Sequence, residues 1–165
     1  MAARLVGAGT IIAIDMHPER LKQALELGAT HVVNARNESV VDEVMKITGS
    51  GVHYSLETTS LPTVIRQAVE CLTFRGICGI LGASPVGTQV SLDVIHLMTA
   101  GRTVRGIVEG DSIPDLFIPE LIEHYVHGRF PFDRLVRYYP FSEINQAIAD
   151  SEAGRVVKPI IRYSD

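Results

Sequence analysis

Apolar positions along the first half of the chain alternate between two rhythms. Residues 10–15 (TIIAID) carry a run of apolar side chains that ends on one carboxylate, Asp15. A continuous apolar run, rather than an alternating one, predicts a strand buried on both faces. Pro18 suits the first turn of a helix, Leu21, Ala24, Leu25 and Leu27 recur at helical spacing, and Gly28 stops the pattern. Residues 30–34 (THVVN) predict a second strand. Val40, Val41, Val44 and Ile47 predict a second amphipathic helix, closed by Gly49. Residues 52–57 (VHYSLE) predict a third strand that also ends in an acid. Pro62 opens a helix to about Leu72, and residues 76–82 (GICGILG) predict a fourth strand.

Strands alternating with helices over short links imply an α/β fold: a doubly wound, mostly parallel sheet with helices on both faces and right-handed crossovers. The second half is less regular. Residues 90–100 predict a short strand plus a helix, and residues 103–108 (TVRGIV) a strand. Residues 113–128 predict a helix that Pro119 should kink or restart. Ser142 is a plausible N-cap for a helix to about Ser151, and residues 158–163 predict a closing strand. No stretch reads as a linker, so residues 1–165 are expected to form a single domain.

Composition narrows the function classes. The chain has 165 residues, 46% of them hydrophobic, enough for a core without staples. A net charge of −4 gives no basic footprint for nucleic acid. No apolar run reaches the length of a membrane span, and residues 1–9 (MAARLVGAG) lack the pattern of a signal peptide. Two cysteines, Cys71 and Cys78, are too few for a disulfide framework and suggest a reducing, cytoplasmic setting.

Candidate chemistry begins at Asp15. In doubly wound sheets, ligands sit beyond the carboxyl ends of the strands. An acid there can accept hydrogen bonds from both hydroxyls of an adenosine ribose. A 2′-phosphate would meet a like charge, so Asp15 favours NAD over NADP. Arg20, one turn into the next helix, could pair with Asp15 or flank the adenine. The plainer alternative is that Asp15 only starts the turn before the helix. A glycine-rich phosphate loop should precede this strand by one helix, yet only Gly7 and Gly9 lie close together, and position 12 is Ile. Residues 1–9 read instead as the tail of a helix capped by Gly7. The fold is therefore expected to be Rossmann-like but to lack its first strand and glycine-rich loop.

Taken together, TIIAIDMHPERLKQALELGATHVVN, GRTVRGIVEGD, FIPELIEHYVHGRFPFDRLV and YPFSEINQAIADSEAGRVVKPII resemble the zinc-dependent medium-chain alcohol dehydrogenases across nearly the whole chain. GIVEGDS and GRFPFDRLV are most similar to the aryl (benzyl) alcohol dehydrogenase branch. The resemblance implies an NAD-binding domain in which Asp15 holds the adenosine ribose with Arg20 beside it. It implies that Thr58 and Thr59 line the adenine side, and that Leu81, Gly82 and Ala83 meet the nicotinamide ribose. The backbone of Ile107 and Glu109 would hold the carboxamide. Lys158 would reach the pyrophosphate, although by itself it reads as a solvated surface lysine.

The resemblance also implies what this chain lacks. The family's catalytic domain, with its zinc ligands and proton relay, is expected to be absent, so no catalytic or metal residue is assigned. His124 and His127 share a helix face without a third ligand, and a zinc site needs three. In the 3-2-1-4-5-6 strand order the missing first strand is central. Residues 10–15 and 52–57 are then expected to pair directly, or a neighbouring segment to fill the slot. Residues 102–108 are expected to pair across a two-fold axis in a homodimer. The isolated chain is expected to be inactive. The alternatives are a non-catalytic nucleotide-binding module, a purely structural or dimerisation fragment and, more weakly, a methyltransferase.

Overall fold

The computed structural model describes residues 1–163. They form two compact units: Met1–Asn37 together with residues 114–163, and Glu38–Ile113. Every ladder in both units is parallel, in line with the α/β expectation.

The first unit opens with a short helix α1 (Ala2–Leu5), then β1 (Ile12–Asp15), α2 (Pro18–Glu26) and β2 (His31–Asn34). β1 and β2 pair in register from Ile12 opposite His31 to Asp15 opposite Asn34. Thr30 closes the start of this ladder: its hydroxyl accepts from the Ile11 N–H at 2.8 Å and donates to the Ile11 carbonyl at 3.0 Å. Pro18 stands in the first turn of α2, as its missing N–H allows. Beyond the end of α2, Gly28 has φ +115°, and a Cβ there would lie 2.9 Å from Arg4 Cδ, so the position requires glycine. β1 is half-buried rather than buried on both faces: Ile14 is 44% exposed. Among the described residues β1 has one ladder partner, β2, which leaves its other edge unpaired.

The later part of this unit contains α6 (Pro114–Val126), β6 (Val136–Pro140), α7 (Ile144–Glu152) and β7 (Lys158–Arg162). β6 and β7 pair in parallel and α7 crosses between them, burying Tyr139, Ala147 and Val156. Three expectations change here. α6 continues through Pro119 without restarting. Ser142 is not a cap: it lies in a single 3₁₀ turn (Phe141–Glu143), and α7 starts at Ile144 without a side-chain cap. β6 was not anticipated, because VRYYP shows neither clean alternation nor a continuous apolar run, and only Tyr139 in it is buried.

The second unit contains α3 (Val40–Thr48), β3 (Val52–Glu57), α4 (Pro62–Glu70), β4 (Leu72–Ile80), α5 (Val94–Thr99) and β5 (Thr103–Gly106). Its sheet has the order β3-β4-β5, which leaves β5 at an edge. Val69, Leu72 and Cys78 form the buried centre, with Val52, Ile80, Leu97 and Val104 packed around them. α4 ends at Glu70, and β4 begins at Leu72 rather than at residue 76, because Leu72 already pairs with Val52 across a register shift. No strand precedes α5; Asp93 caps that helix instead, accepting from the N–H groups of Ile95 at 2.8 Å and His96 at 3.2 Å. The direct pairing of residues 10–15 with 52–57 is not among the ladders.

Candidate functional site

In the first unit Asp15 ends β1 and is half-buried. Its Oδ1 accepts from the His17 N–H at 2.8 Å, so it does start the turn into α2. Its Oδ2 lies 3.9 Å from Arg20 Nη1. The carboxylate lines a cavity of about 420 Å³ whose wall includes Ile11, Ala13, Arg20, Ala24 and Val157. Ile11, Ala13 and Asp15 alternate along the strand and so share one of its faces. Arg20 also donates from Nη2 to the Ser151 carbonyl at 3.4 Å, and its buried Nε has no partner among the described residues. It lines a second, more polar cavity of about 260 Å³ together with Glu19, Lys22 and Arg155. An anion-accepting group beside an oxygen acceptor, in the wall of a partly apolar cavity, suits a sugar bearing a phosphate. Lys158 opens β7 opposite Val136 and is exposed; it lines neither cavity, although its neighbour Val157 lines both.

In the second unit the carboxyl ends of β3, β4 and β5 carry the other candidate residues. The Glu57 carbonyl accepts from Leu81 N–H at 2.9 Å and from Gly82 N–H at 3.3 Å, which ties the end of β3 to the loop after β4. The Ile107 N–H donates to the Ile80 carbonyl at 2.9 Å, tying in the end of β5. Thr58, Thr59, Leu81, Gly82, Ala83 and Ile107 are thus brought to one rim. Glu109 follows in a tight turn with φ 47° and is exposed. The Ile107 N–H is thus engaged within the fold.

Glu57, in sequence only the acid that ends β3, also stands on this rim. It is only 2% exposed. Its Oε1 accepts from the Thr59 N–H and hydroxyl, both at 2.5 Å, and from the Ser60 N–H at 3.2 Å; Oε2 lies 3.3 Å from the same Ser60 nitrogen. Ser60 adopts φ 68°, a strained conformation for a residue with a side chain. A Cβ on Gly82 would sit 2.6 Å from both the nitrogen and the hydroxyl of Ser60, so only glycine fits against this loop. The Ser84 hydroxyl completes the seam by donating to the Ser60 carbonyl at 3.0 Å.

The remaining candidates are structural. Cys71 and Cys78 are unpaired and buried, and burial pushes the Cys71 thiol up to about 11. His124 and His127 lie 3.8 Å from Glu120 and 3.6 Å from Glu123, as helix-surface pairs. Among the described residues no group of three or more His, Cys, Asp or Glu could hold a metal ion, so the donors present do not fit zinc. No helix among them is long and apolar enough to cross a membrane.

Comparison with known proteins adds a second line of evidence. The sequence profile of a family described as zinc-binding dehydrogenase matches residues 1–124. Geraniol dehydrogenase of Castellaniella defragrans is 37% identical over 164 residues, which is 99% of this chain and 44% of that protein. The crystal structure of an alcohol dehydrogenase zinc-binding domain protein from Burkholderia ambifaria shares 53% identity with a TM-score of 0.95, over 99% of this chain and 44% of that one. Benzyl alcohol dehydrogenase from Acinetobacter calcoaceticus gives 44% identity and a TM-score of 0.96, over 99% and 45%. The chain therefore spans less than half the length of these relatives.

Proposed function

The chain belongs to the zinc-binding dehydrogenase family, and from that premise we propose that residues 1–165 belong to the NAD-binding domain of an alcohol dehydrogenase. The reaction class is hydride transfer between an alcohol or aldehyde and a nicotinamide. This chain supplies the holding of the cofactor and none of the bond-making groups. The donors present do not fit zinc, so no step of the reaction is assigned to a metal here, and the chain alone does not turn over substrate. An assay with an aryl alcohol and NAD checks that statement, and measurable turnover refutes it.

The observation that carries the reading is the placement of Asp15. Asp15 ends a parallel strand and lines a cavity of about 420 Å³ together with Arg20, its Oδ2 3.9 Å from Arg20 Nη1. Asp15 takes the adenosine ribose hydroxyls, and its charge disfavours a 2′-phosphate, hence NAD rather than NADP. Arg20 flanks the adenine end, and Lys158 meets the pyrophosphate. On the second unit, Thr58, Thr59, Leu81, Gly82 and Ala83 form the nucleotide-facing rim, and the backbone of Ile107 and Glu109 serves the nicotinamide carboxamide. Calorimetric titration with AMP, NAD and S-adenosylmethionine tests this. AMP is expected to bind, NAD more weakly, and S-adenosylmethionine not at all. Binding of S-adenosylmethionine in preference to AMP overturns the reading.

The edge position of β5 supports a homodimer in which residues 102–108 pair with the same strand of a second copy. The same observation favours a second reading, in which the chain is a dimerisation fragment with no nucleotide affinity. A dimer that gives no heat with AMP selects that reading; a monomer in solution scattering at high concentration removes it. The two buried, unpaired cysteines support a reducing, cytoplasmic setting.

A further inference from the structure

We infer that Glu57 is a positioning residue: its buried carboxylate shapes the loop of residues 58–60 and locks it against Gly82, so that the rim of the second unit is formed before a nucleotide arrives. The inference rests on the NAD-binding reading of that rim. A carboxylate that is 2% exposed is costly to bury unless it is satisfied. Among the described residues no cation lies within ion-pairing distance of Glu57. Its compensation comes from the N–H groups of Thr59 and Ser60 and the hydroxyl of Thr59. These donors belong to the segment that follows it in the chain, so the charge is satisfied only if the loop folds back over the strand end.

That fold-back has a direct consequence for the rim. It holds Ser60 at φ 68°, a conformation serine would not keep unaided. Ser60 in turn presses on Gly82, while Ser84 bonds to the Ser60 carbonyl at 3.0 Å. The Glu57 main chain meanwhile accepts from Leu81 and Gly82. One residue therefore organises both loops, through its side chain on one and its carbonyl on the other. Thr58 stands between the acid and its donors and is exposed, with its neighbours on both sides held by hydrogen bonds. Strain held by buried hydrogen bonds beside a candidate binding rim is how preorganised sites are built.

The test uses the full chain, nicotinamide mononucleotide as probe, and NMR amide shifts as readout, with four proteins: wild type, Glu57→Gln, Glu57→Leu and Val69→Ala. Gln keeps an oxygen where Oε1 accepts its three donors; Leu keeps the volume and no acceptor. Val69→Ala makes a cavity in the core of the same unit and controls for lost stability. Glu57→Leu is expected to bind at least about tenfold more weakly, with Glu57→Gln and Val69→Ala within about threefold of wild type. Amide exchange at Thr59 and Ser60 is expected to accelerate in Glu57→Leu alone. A folded Glu57→Leu protein that keeps both its affinity and its Thr59 and Ser60 protection overturns the inference. So does an equal loss of affinity in Val69→Ala. If wild type shows no shift with the mononucleotide but Glu57→Leu loses loop protection, the NAD-binding reading fails while the hold of Glu57 on the loop stands.

Discussion

At the end of β1, Asp15 holds one backbone amide and leaves Oδ2 facing Arg20 across 3.9 Å. At the end of β3, Glu57 is almost fully buried and takes three donors from Thr59 and Ser60. Both are strand-ending acids in parallel ladders, and sequence pattern treats them alike. What separates them is how many donors the chain itself brings to each carboxylate. An acid whose lone pairs are occupied inside the fold cannot trade them for ligand hydroxyls without breaking the fold. An acid with an oxygen facing a cavity can. Asp15 is thus the acid proposed to contact a ligand and Glu57 the acid proposed to give shape, and the contrast can be broken at either end.

The largest effect is expected at a third acid, where internal engagement is most complete. Asp150 is 5% exposed on α7. It accepts from the Tyr139 hydroxyl at 2.7 Å, Gln146 at 2.8 Å and Arg155 at 2.8 and 2.9 Å. The Tyr139 hydrogen bond first, then those of Arg155 and Gln146, hold its carboxyl down at about 2. A lowered carboxyl stabilises the fold above its unfolded pKa of about 4 and loses that contribution as pH falls through about 2. Asp150→Asn is thus expected to lower the melting temperature more than any other substitution considered, with the full deficit at pH 7 and almost none near pH 2. Equal deficits at the two pH values would contradict the assignment.

Glu57→Leu comes next. It strips the acceptor from the Thr59 and Ser60 amides and the Thr59 hydroxyl, at about 1–3 kcal/mol for a buried donor left unpaired. Since the loop can open to water, a loss of about 3 kcal/mol in urea denaturation is expected. Gly82→Ala probes the same seam from the facing loop. The added methyl would meet Ser60 backbone at 2.6 Å, which cannot swing away as a flexible side chain could. About 1–3 kcal/mol is expected. An unchanged urea midpoint for Gly82→Ala would mean that the seam between residues 60 and 82 is loose in solution, and the comparison would lose its second half.

The sequence made parts of this legible for plain reasons. Pro18, Gly28, Gly49 and Pro62 punctuate α2, α3 and α4 because each answers a steric or donor requirement that is local. β3 was readable to its last residue because an acid ends it. β4 started earlier than expected because the strand character of Leu72 depends on its pairing with Val52, twenty residues back, and local pattern carries no trace of that. β6 escaped because its sheet partner, β7, lies across a helix. At the candidate site, the strand-end place of Asp15 was legible from the apolar run that it closes. Thr58, Leu81 and Gly82 came only through family resemblance. The burial of Glu57 was illegible because it depends on a loop folding back, with Ser60 in a conformation that serine seldom takes.

Asp15→Asn should disturb stability least and sharpen the comparison most. Asparagine keeps an oxygen for the His17 amide, so the turn into α2 survives, and stability should stay within about 0.5 kcal/mol of wild type. It replaces the other oxygen with an amide nitrogen and removes the charge facing Arg20. A ribose hydroxyl that donated to Oδ2 would then meet a donor, and AMP affinity should fall about tenfold, equivalent to about 1.4 kcal/mol. Glu57→Leu is expected to act in the other order, on loop order first and on ligand only through it. If Asp15→Asn instead destabilises the chain while AMP binds unchanged, then Asp15 is the turn-former and nothing more. Oδ2 would be a solvated oxygen, and the distinction between a ligand-facing acid and a shape-giving acid would collapse into two structural acids of different burial.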